Sequence, residues 1–342
     1  MNIPARKWNK DVLPRRILAI RLQAMGDLVI TLPYLQHLRN SLPAGTRLDL
    51  LTREEVNAIP KEIELFDKVY TIRGGRNTKK QLIYTALLLP ELWARRYGIV
   101  IDLQNNIISR LVRNSLLPRA WSEFDRFSPV PAGESTRLTI EAVGLGKCDI
   151  SSRFKIRHKD AGRDLLIAHG WDGNKELIVL NPAGAFPTRN WAMDKYVEFA
   201  RLWLQRRPAS QFLLLGTSFI AAKSTFLKNA LGGHLINLTG KTTPAQAFTV
   251  LQQTSLVLSE DSGLMHMSWV SGIPTLAIFG STRDRARPLG PHALLLNSSD
   301  LPCGNCMLEE CKYGDTHCLS RYTADMVFDK ALSLLQKAKE NP

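Results

Sequence analysis

The segment Ser255–Gly280 contains the residue types with the clearest chemical use. It has the pattern of a buried strand, a tight turn, a short helix and a second buried strand, which is a parallel β-α-β unit. Asp261 and Ser262 close the first strand, and Gly263 allows a ligand to approach the backbone. A helix that begins here presents unpaired N–H groups and a partial positive charge, and His266 adds a donor one turn later. We therefore predict a phosphate-binding turn at the carboxyl end of a sheet.

A second turn of this kind lies near the N-terminus. The apolar strand pattern of Arg16–Leu22 is followed by Gly26 and Asp27, and helical spacing begins at Leu28. Gly26 permits close backbone approach. Two roles suit Asp27: it caps the helix, which is worth about 1 kcal/mol, or it serves as a catalytic base in a cleft. Spacing by itself favours the cap.

The elements that position these turns alternate between strand and helix along the whole chain. This alternation predicts an α/β protein with parallel, doubly wound sheets. A polar, glycine-containing break at Gly170–Asn174 interrupts the pattern, and 342 residues are too many for one ordinary core. We predict one domain over residues 1–172 and another over residues 173–342, facing each other across a ligand-binding cleft.

Composition and charge narrow the class of protein. Hydrophobic content of 44% and charged content of 22% are typical of a soluble globular protein, and no apolar run reaches the ~20 residues that span a bilayer. The basic N-terminus has no apolar signal region, so we expect a cytoplasmic protein. The net charge of +14 suits phosphates on nucleic acid, lipid head groups or a substrate. Basic residues concentrate at Arg6–Arg16 and Arg110–Arg119; since no nucleic-acid-binding motif is visible, nucleic acid is not expected as a partner.

Four cysteines lie close together near the C-terminus, with His317 beside the last of them. Their spacing is C-x2-C-x4-C-x6-C, formed by Cys303, Cys306, Cys311 and Cys318. Four thiolates can bind a structural zinc ion tetrahedrally, whereas free or redox-active thiols are the other interpretation. Disulfides are not expected in a cytosolic chain.

Three segments carry a resemblance to a known family: MGDLVITLP near the start, NPAGAFPTRNW after the break, and DSGLMHMSWVSGIPTLAIFGST. In this order and spacing they resemble glycosyltransferase family 9, the ADP-heptose:lipopolysaccharide heptosyltransferases. The resemblance implies a GT-B fold of two Rossmann-like domains, with the acceptor on the first and the sugar nucleotide on the second. It implies inverting transfer without a metal cofactor, from a nucleotide-diphosphate sugar to an anionic glycolipid. Basic residues of the first domain would face this membrane-borne acceptor, so the net charge of +14 predicts peripheral contact with the inner-membrane surface.

The resemblance assigns roles to individual residues. Asp27 matches the family's proposed general base, and Gly26 lies beside it on the acceptor side. The donor motif is matched by five residues, in which backbone amides and the histidine hold the diphosphate and the aspartate contacts the sugar: Asp261, Ser262, Gly263, Leu264 and His266.

Two positions depart from the family pattern. Arg189 stands where the family usually has lysine; either cation neutralises a leaving diphosphate, and Thr188 beside it is a candidate hydroxyl donor. The ribose-binding glutamate is absent after the strand QFLLLG, where Ser218 is the polar replacement. Thr242 falls where backbone groups would contact the base. The nucleotide of the donor is therefore left open by these residues.

Two other functions fit a two-domain nucleotide-binding fold. One is a sugar-nucleotide epimerase, which needs acid and base groups on both sides of the sugar and no acceptor. The other is a non-catalytic protein that binds nucleotides or RNA.

Overall fold

The computed structural model describes residues 3–340. The chain forms two compact units that divide between Arg157 and His158. Each unit contains one six-stranded sheet. The predicted α/β class is confirmed.

The first unit has a sheet with the strand order β1-β6-β5-β2-β3-β4. All neighbours are parallel except β1, which pairs antiparallel with β6. Its strands are β1 (Ala5–Arg6), β2 (Arg16–Ile20), β3 (Arg47–Arg53), β4 (Lys68–Ile72), β5 (Ile99–Asp102) and β6 (Ala120–Glu123). Its helices are α1 (Met25–Ser41), α2 (Ala58–Glu62), α3 (Thr78–Arg95), α4 (Ile107–Ser115) and α5 (Ala132–Ala142).

The second unit has an all-parallel sheet with the strand order β12-β11-β10-β7-β8-β9. Its strands are β7 (Glu176–Asn181), β8 (Ser210–Leu214), β9 (Leu235–Asn237), β10 (Leu256–Glu260), β11 (Thr275–Ile278) and β12 (Ala293–Leu296). Its helices are α6 (Ala161–Ala168), α7 (Met193–Arg206), α8 (Ala221–Leu231), α9 (Pro244–Leu251), α10 (Gly263–Val270), α11 (His317–Ser320) and α12 (Ala324–Glu340).

Continuous apolar runs explain the central strands. Residues of β5, β7 and β10 are buried throughout or nearly so, as expected where helices cover both faces of a parallel sheet. The core of the second unit contains the fully buried Trp203 and Phe199 of α7, and Phe328 of α12 packs against both rings. These helices therefore cover one face of the second sheet, and loops follow the carboxyl ends of its strands.

The units divide earlier than the break predicted at Gly170–Asn174. Helix α6 packs on α9, and a side chain at Gly162 would lie 2.4 Å from the carbonyl of Thr249. This close approach between two helices joins α6 to the second unit, although it precedes the polar break in sequence.

Three short elements of the first unit, β1, α2 and α4, were not predicted. They span two, five and nine residues respectively, which is short for a periodic pattern to be recognised. Among residues 3–340, no helix combines the length and apolar character that a bilayer crossing requires.

Candidate active site

The predicted phosphate-binding turn lies between β10 and α10, where the strand order of the second sheet reverses. Ser262 is the N-cap of α10, and its Oγ accepts the N–H of Met265 at 3.2 Å. Asn181, the last residue of β7, donates its Nδ2 to the same Oγ at 2.7 Å. The N–H groups of Gly263 and Leu264 precede the first hydrogen bond of the helix, so the helix itself offers them no acceptor. This geometry suits an anion at a topological switch point.

Open space adjoins this turn at Gly263. A Cβ atom built on Gly263 would have no neighbouring heavy atom within 4 Å. In a helix the Cα–Cβ bond tilts toward the N-terminus, so this space lies at the N-terminal end of α10. A ligand can therefore approach the backbone here.

The side chain of His266 is buried and oriented by a neighbour on the same helix. Its Nδ1 accepts the indole N–H of Trp269 at 3.1 Å, and Trp269 is fully buried. Because Nδ1 is an acceptor, the neutral ring carries its proton on Nε2. His266 is thus held as a hydrogen-bond donor one turn into α10.

The buried Arg189 and the half-buried Asp261 form an ion pair at the same turn. The Nη1 of Arg189 lies 3.2 Å from the Oδ2 of Asp261, and the hydroxyl of Thr282 donates to that oxygen at 3.1 Å. The guanidinium also stacks 5.0 Å from the ring centroid of Phe186, and its Nε has no acceptor within residues 3–340. A desolvated guanidinium with an unused donor is suited to an anionic ligand.

Glu260 holds the loop that carries Arg189. Its fully buried carboxylate accepts the N–H of Gly184 at 2.7 Å, the N–H of Trp191 at 2.6 Å and the hydroxyl of Tyr196 at 3.3 Å. Burial raises the pKa of Glu260 to about 7, against the opposing effects of Lys223 and these hydrogen bonds. The ammonium of Lys223 lies 3.9 Å away, and burial lowers its pKa. One carboxylate therefore fastens both ends of the loop.

Sequence reasoning did not single out Glu260. The available signal was a charged residue at the end of an otherwise apolar strand, since isolated buried carboxylates are costly unless they are hydrogen-bonded. The groups that donate hydrogen bonds to it become evident only when loop 184–191 folds over the strand end.

Thr188 lies in the same loop but faces another segment. Its buried hydroxyl lies 3.0 Å from that of Ser281 and donates to the carbonyl of Leu308 at 2.5 Å. The Nη2 of Arg189 lies 3.5 Å from the sulfur of Met307. The loop containing the cysteines therefore packs directly against Thr188 and Arg189, two of the residues predicted to bind the donor. The proposed role of the Thr188 hydroxyl toward a ligand stays a prediction.

The cysteine loop does not support the predicted structural zinc. No group of three or more His, Cys, Asp or Glu side chains within residues 3–340 is arranged to hold a metal ion. The four cysteines instead line a cavity of about 280 Å³. Cys306 is exposed, whereas Cys303, Cys311 and Cys318 are half-buried. All four are free thiols. Backbone N–H groups lower the pKa of Cys311, whereas burial raises that of Cys318.

Ser218 and Thr242 lie in two loops that meet beside this site. Ser218 is exposed and follows β8, and Thr242 is half-buried and follows β9. The loops are joined by a hydrogen bond from the N–H of Gly240 to the carbonyl of Gly216 at 2.8 Å. Both residues thus lie at the carboxyl edge of the second sheet, as does the Arg189–Asp261 pair. Their contact with a nucleotide stays a prediction.

Asp27 lies in the first turn of α1, where β2 meets the switch point of the first sheet. Its Oδ2 accepts the N–H of Ala24 at 3.1 Å and pairs with the Nη2 of Arg21 at 3.0 Å. The capping role is therefore observed. The side chain remains 45% exposed, which leaves its other oxygen accessible to a substrate, and Gly26 beside it is half-buried.

A family model described as "Glycosyltransferase family 9 (heptosyltransferase)" matches residues 133–317, more than half of the chain. The lipopolysaccharide heptosyltransferase 1 of Pseudomonas aeruginosa is 23% identical, over 88% of each chain. The lipooligosaccharide heptosyltransferase 2 of Campylobacter jejuni is 25% identical over 56% of this chain and 58% of the relative. With this second relative the similarity therefore spans little more than half of the length.

Solved structures share the fold. A glycosyl transferase family 9 protein from Veillonella parvula superimposes with a TM-score of 0.77 at 19% identity, over 94% of this chain and 97% of that one. The E. coli heptosyltransferase WaaC, with ADP-2-deoxy-2-fluoro heptose, has a TM-score of 0.67 at 18% identity, over 93% and 99%. The predicted GT-B fold is confirmed. The epimerase and the non-catalytic binder are not retained, because the chain belongs to glycosyltransferase family 9 and is a glycosyltransferase.

Proposed function

We propose that this chain transfers a sugar from a nucleotide-diphosphate donor to a lipopolysaccharide-core or other cell-surface glycan. The sugar is a heptose carried by ADP-heptose, or a related sugar carried by its own nucleotide diphosphate. The heptosyltransferase relatives support this substrate class, and a related protein carries an ADP-heptose analogue. The single observation that carries the proposal is the turn Ser262–Leu264. Its amides, the donor His266 and the buried Arg189 surround a position suited to a diphosphate.

The reaction that fits these residues is a single displacement with inversion at the anomeric carbon. An acceptor hydroxyl oxygen forms a bond to that carbon while the bond to the diphosphate oxygen breaks. Asp27 takes the proton from the hydroxyl as general base, a role worth about 10²–10⁴-fold in rate. The amides of α10, with His266 and Arg189, stabilise the charge that develops on the departing nucleoside diphosphate.

Replacement of Gly263 by alanine tests the diphosphate site with little effect on folding. The added methyl group meets no protein atom within 4 Å, but it would occupy the space next to the amides. Loss of one charge-assisted hydrogen bond, about 1.5–3 kcal/mol, predicts at least roughly tenfold weaker ADP-heptose binding by titration calorimetry. The melting temperature should stay the same.

Gly233→Ala is the matched control, because a methyl group there also meets no atom within 4 Å and the residue lies between α8 and β9. We expect it to leave both donor affinity and melting temperature unchanged. Equal donor affinity in Gly263→Ala and the control would contradict a diphosphate at the start of α10. Parallel titrations with UDP- and GDP-sugars identify the base, since the ribose-binding acid is missing near Ser218.

A further inference from the structure

A second cavity lies in the first unit, at the amino-terminal edge of the sheet. Strands β2, β5 and β6 are parallel neighbours, so the residues just before each strand meet at this edge. The cavity measures about 540 Å³. Asp27 follows the carboxyl end of β2 and therefore lies at the opposite edge of the sheet. The residues of the cavity used below are Trp8, Arg15, Trp93, Arg96, Leu117 and Arg119.

Three arginines with no ion-pair partner line this cavity. Arg15, Arg96 and Arg119 are exposed, and within residues 3–340 their guanidinium groups have no carboxylate, carbonyl or ring partner. By contrast, Arg110 and Arg113 both pair with Glu123. The two basic concentrations noted in the sequence therefore converge, and the arginines that meet are the unpaired ones. Three such cations around one cavity favour an anion with several oxygen atoms.

Aromatic and apolar groups surround these cations. The indole N–H of Trp8 is buried without an acceptor in the described part of the chain. Trp93 is half exposed and donates its indole N–H to the carbonyl of Ser115 at 3.0 Å, while Leu117 is 84% exposed. Tryptophan beside basic residues is typical of the boundary between lipid head groups and acyl chains.

The apolar surface continues along α3, whose last turn contains Trp93. Ile83 and Leu87 are 60% and 72% exposed and lie one turn apart on this helix. Pro90 and Ala94 continue the same exposed face. A helix with an apolar exposed face next to unpaired arginines is suited to lie in the plane of an anionic membrane surface.

From this arrangement we propose that the first unit binds the head group of an anionic phospholipid between Arg15, Arg96 and Arg119, with the exposed face of α3 and Leu117 against the bilayer. Charge complementarity selects the phosphate of the head group, and the adjoining apolar side chains select a lipid rather than a soluble phosphate. This binding site is separate from the sugar-transfer site and does not depend on the proposed donor or acceptor.

The test uses vesicles of phosphatidylcholine with and without phosphatidylglycerol, in co-sedimentation with the full chain. We expect binding only where phosphatidylglycerol is present. The triple variant Arg15→Gln, Arg96→Gln and Arg119→Gln should bind roughly 100-fold more weakly, since each basic residue near an anionic surface contributes about 1 kcal/mol, or about fivefold. Leu117→Gln should weaken vesicle binding roughly tenfold, because the loss corresponds to one buried leucine.

A matched triple variant has the same change in net charge: Arg153→Gln, Arg201→Gln and Arg206→Gln. These arginines are also exposed and have no side-chain partner in residues 3–340, so this variant should lose only a few-fold. Equal losses in the two triple variants would show diffuse charge attraction and overturn the site. Calorimetry with inorganic phosphate provides a further arm. If the wild type bound phosphate through these arginines but did not bind the vesicles, the lipid assignment would be refuted.

Discussion

The buried carboxylate of Glu260 predicts that the stability of the second unit depends on pH. Burial raises its pKa from 4.5 to about 7, so the folded chain keeps a proton that the unfolded chain has already lost. The folded state gains stability from this proton below pH 4.5 and loses it as the pH rises through about 7. A rise of this size corresponds to roughly 3 kcal/mol in the free energy of unfolding. Above that range the contribution is constant.

Glu260→Gln removes the titration and keeps the shape. In the variant, the side-chain oxygen of the glutamine still accepts the N–H of Trp191. The side-chain NH₂ group takes the place of the carboxylate oxygen that accepts the N–H of Gly184 in the wild type, so two donors face each other. This mismatch costs about 1–3 kcal/mol at every pH. Tyr196 and Lys223 are the other titratable groups that face the carboxylate. The pKa of Tyr196 is raised well above its ordinary value, so its hydroxyl stays neutral throughout.

Chemical unfolding of both proteins at about pH 5 and about pH 8 measures the effect. We expect the wild type to lose roughly 3 kcal/mol relative to Glu260→Gln between these two conditions. Other titrating groups are common to both proteins and cancel in the difference. Glu176→Gln is the control, because its carboxylate pairs with Arg207 at the protein surface. If wild type and Glu260→Gln had parallel pH profiles, the carboxylate would not titrate in this range and the reasoning from burial would be refuted.

Three further substitutions test the site and its supports. Asp27→Asn can still accept the N–H of Ala24, so it should retain stability and donor affinity but lose about 10²–10⁴-fold in turnover; unchanged initial rates would exclude the general base. Arg189→Met should weaken donor binding at least roughly tenfold in a titration, because it removes the cation and its pair with Asp261, whereas Arg189→Lys should restore most of it. Gly280→Ala should lower the melting temperature by an amount equivalent to about 1–3 kcal/mol, since its methyl group would lie 2.0 Å from the carbonyl of Thr188; an unchanged melting temperature would contradict this packing.

The strand and helix pattern was predicted well wherever an element buries a continuous apolar run. Strand β2 begins at Arg16, where the predicted apolar strand begins, and the segment Ser255–Gly280 forms the predicted order of strand, turn, helix and strand. The capping box that begins α9 was also predictable, because Thr243 and the following proline are local signals. Helix α4 was missed because nine residues with a narrow apolar stripe resemble a basic loop. The boundary between the units was displaced because the packing of α6 on α9 is not encoded in local spacing.

The candidate site divides in the same way. By itself the sequence determined the turn at Ser262 and Gly263, because capping and backbone approach depend on residues next to each other in the chain. Only the tertiary structure decided that Arg189 pairs with Asp261, 72 residues away, and that Glu260 holds the loop that carries Arg189. The convergence of Arg15 and Arg119 at one cavity likewise required the parallel pairing of distant strands. Long-range partners are set by which strands become neighbours, and local residue types leave that choice open.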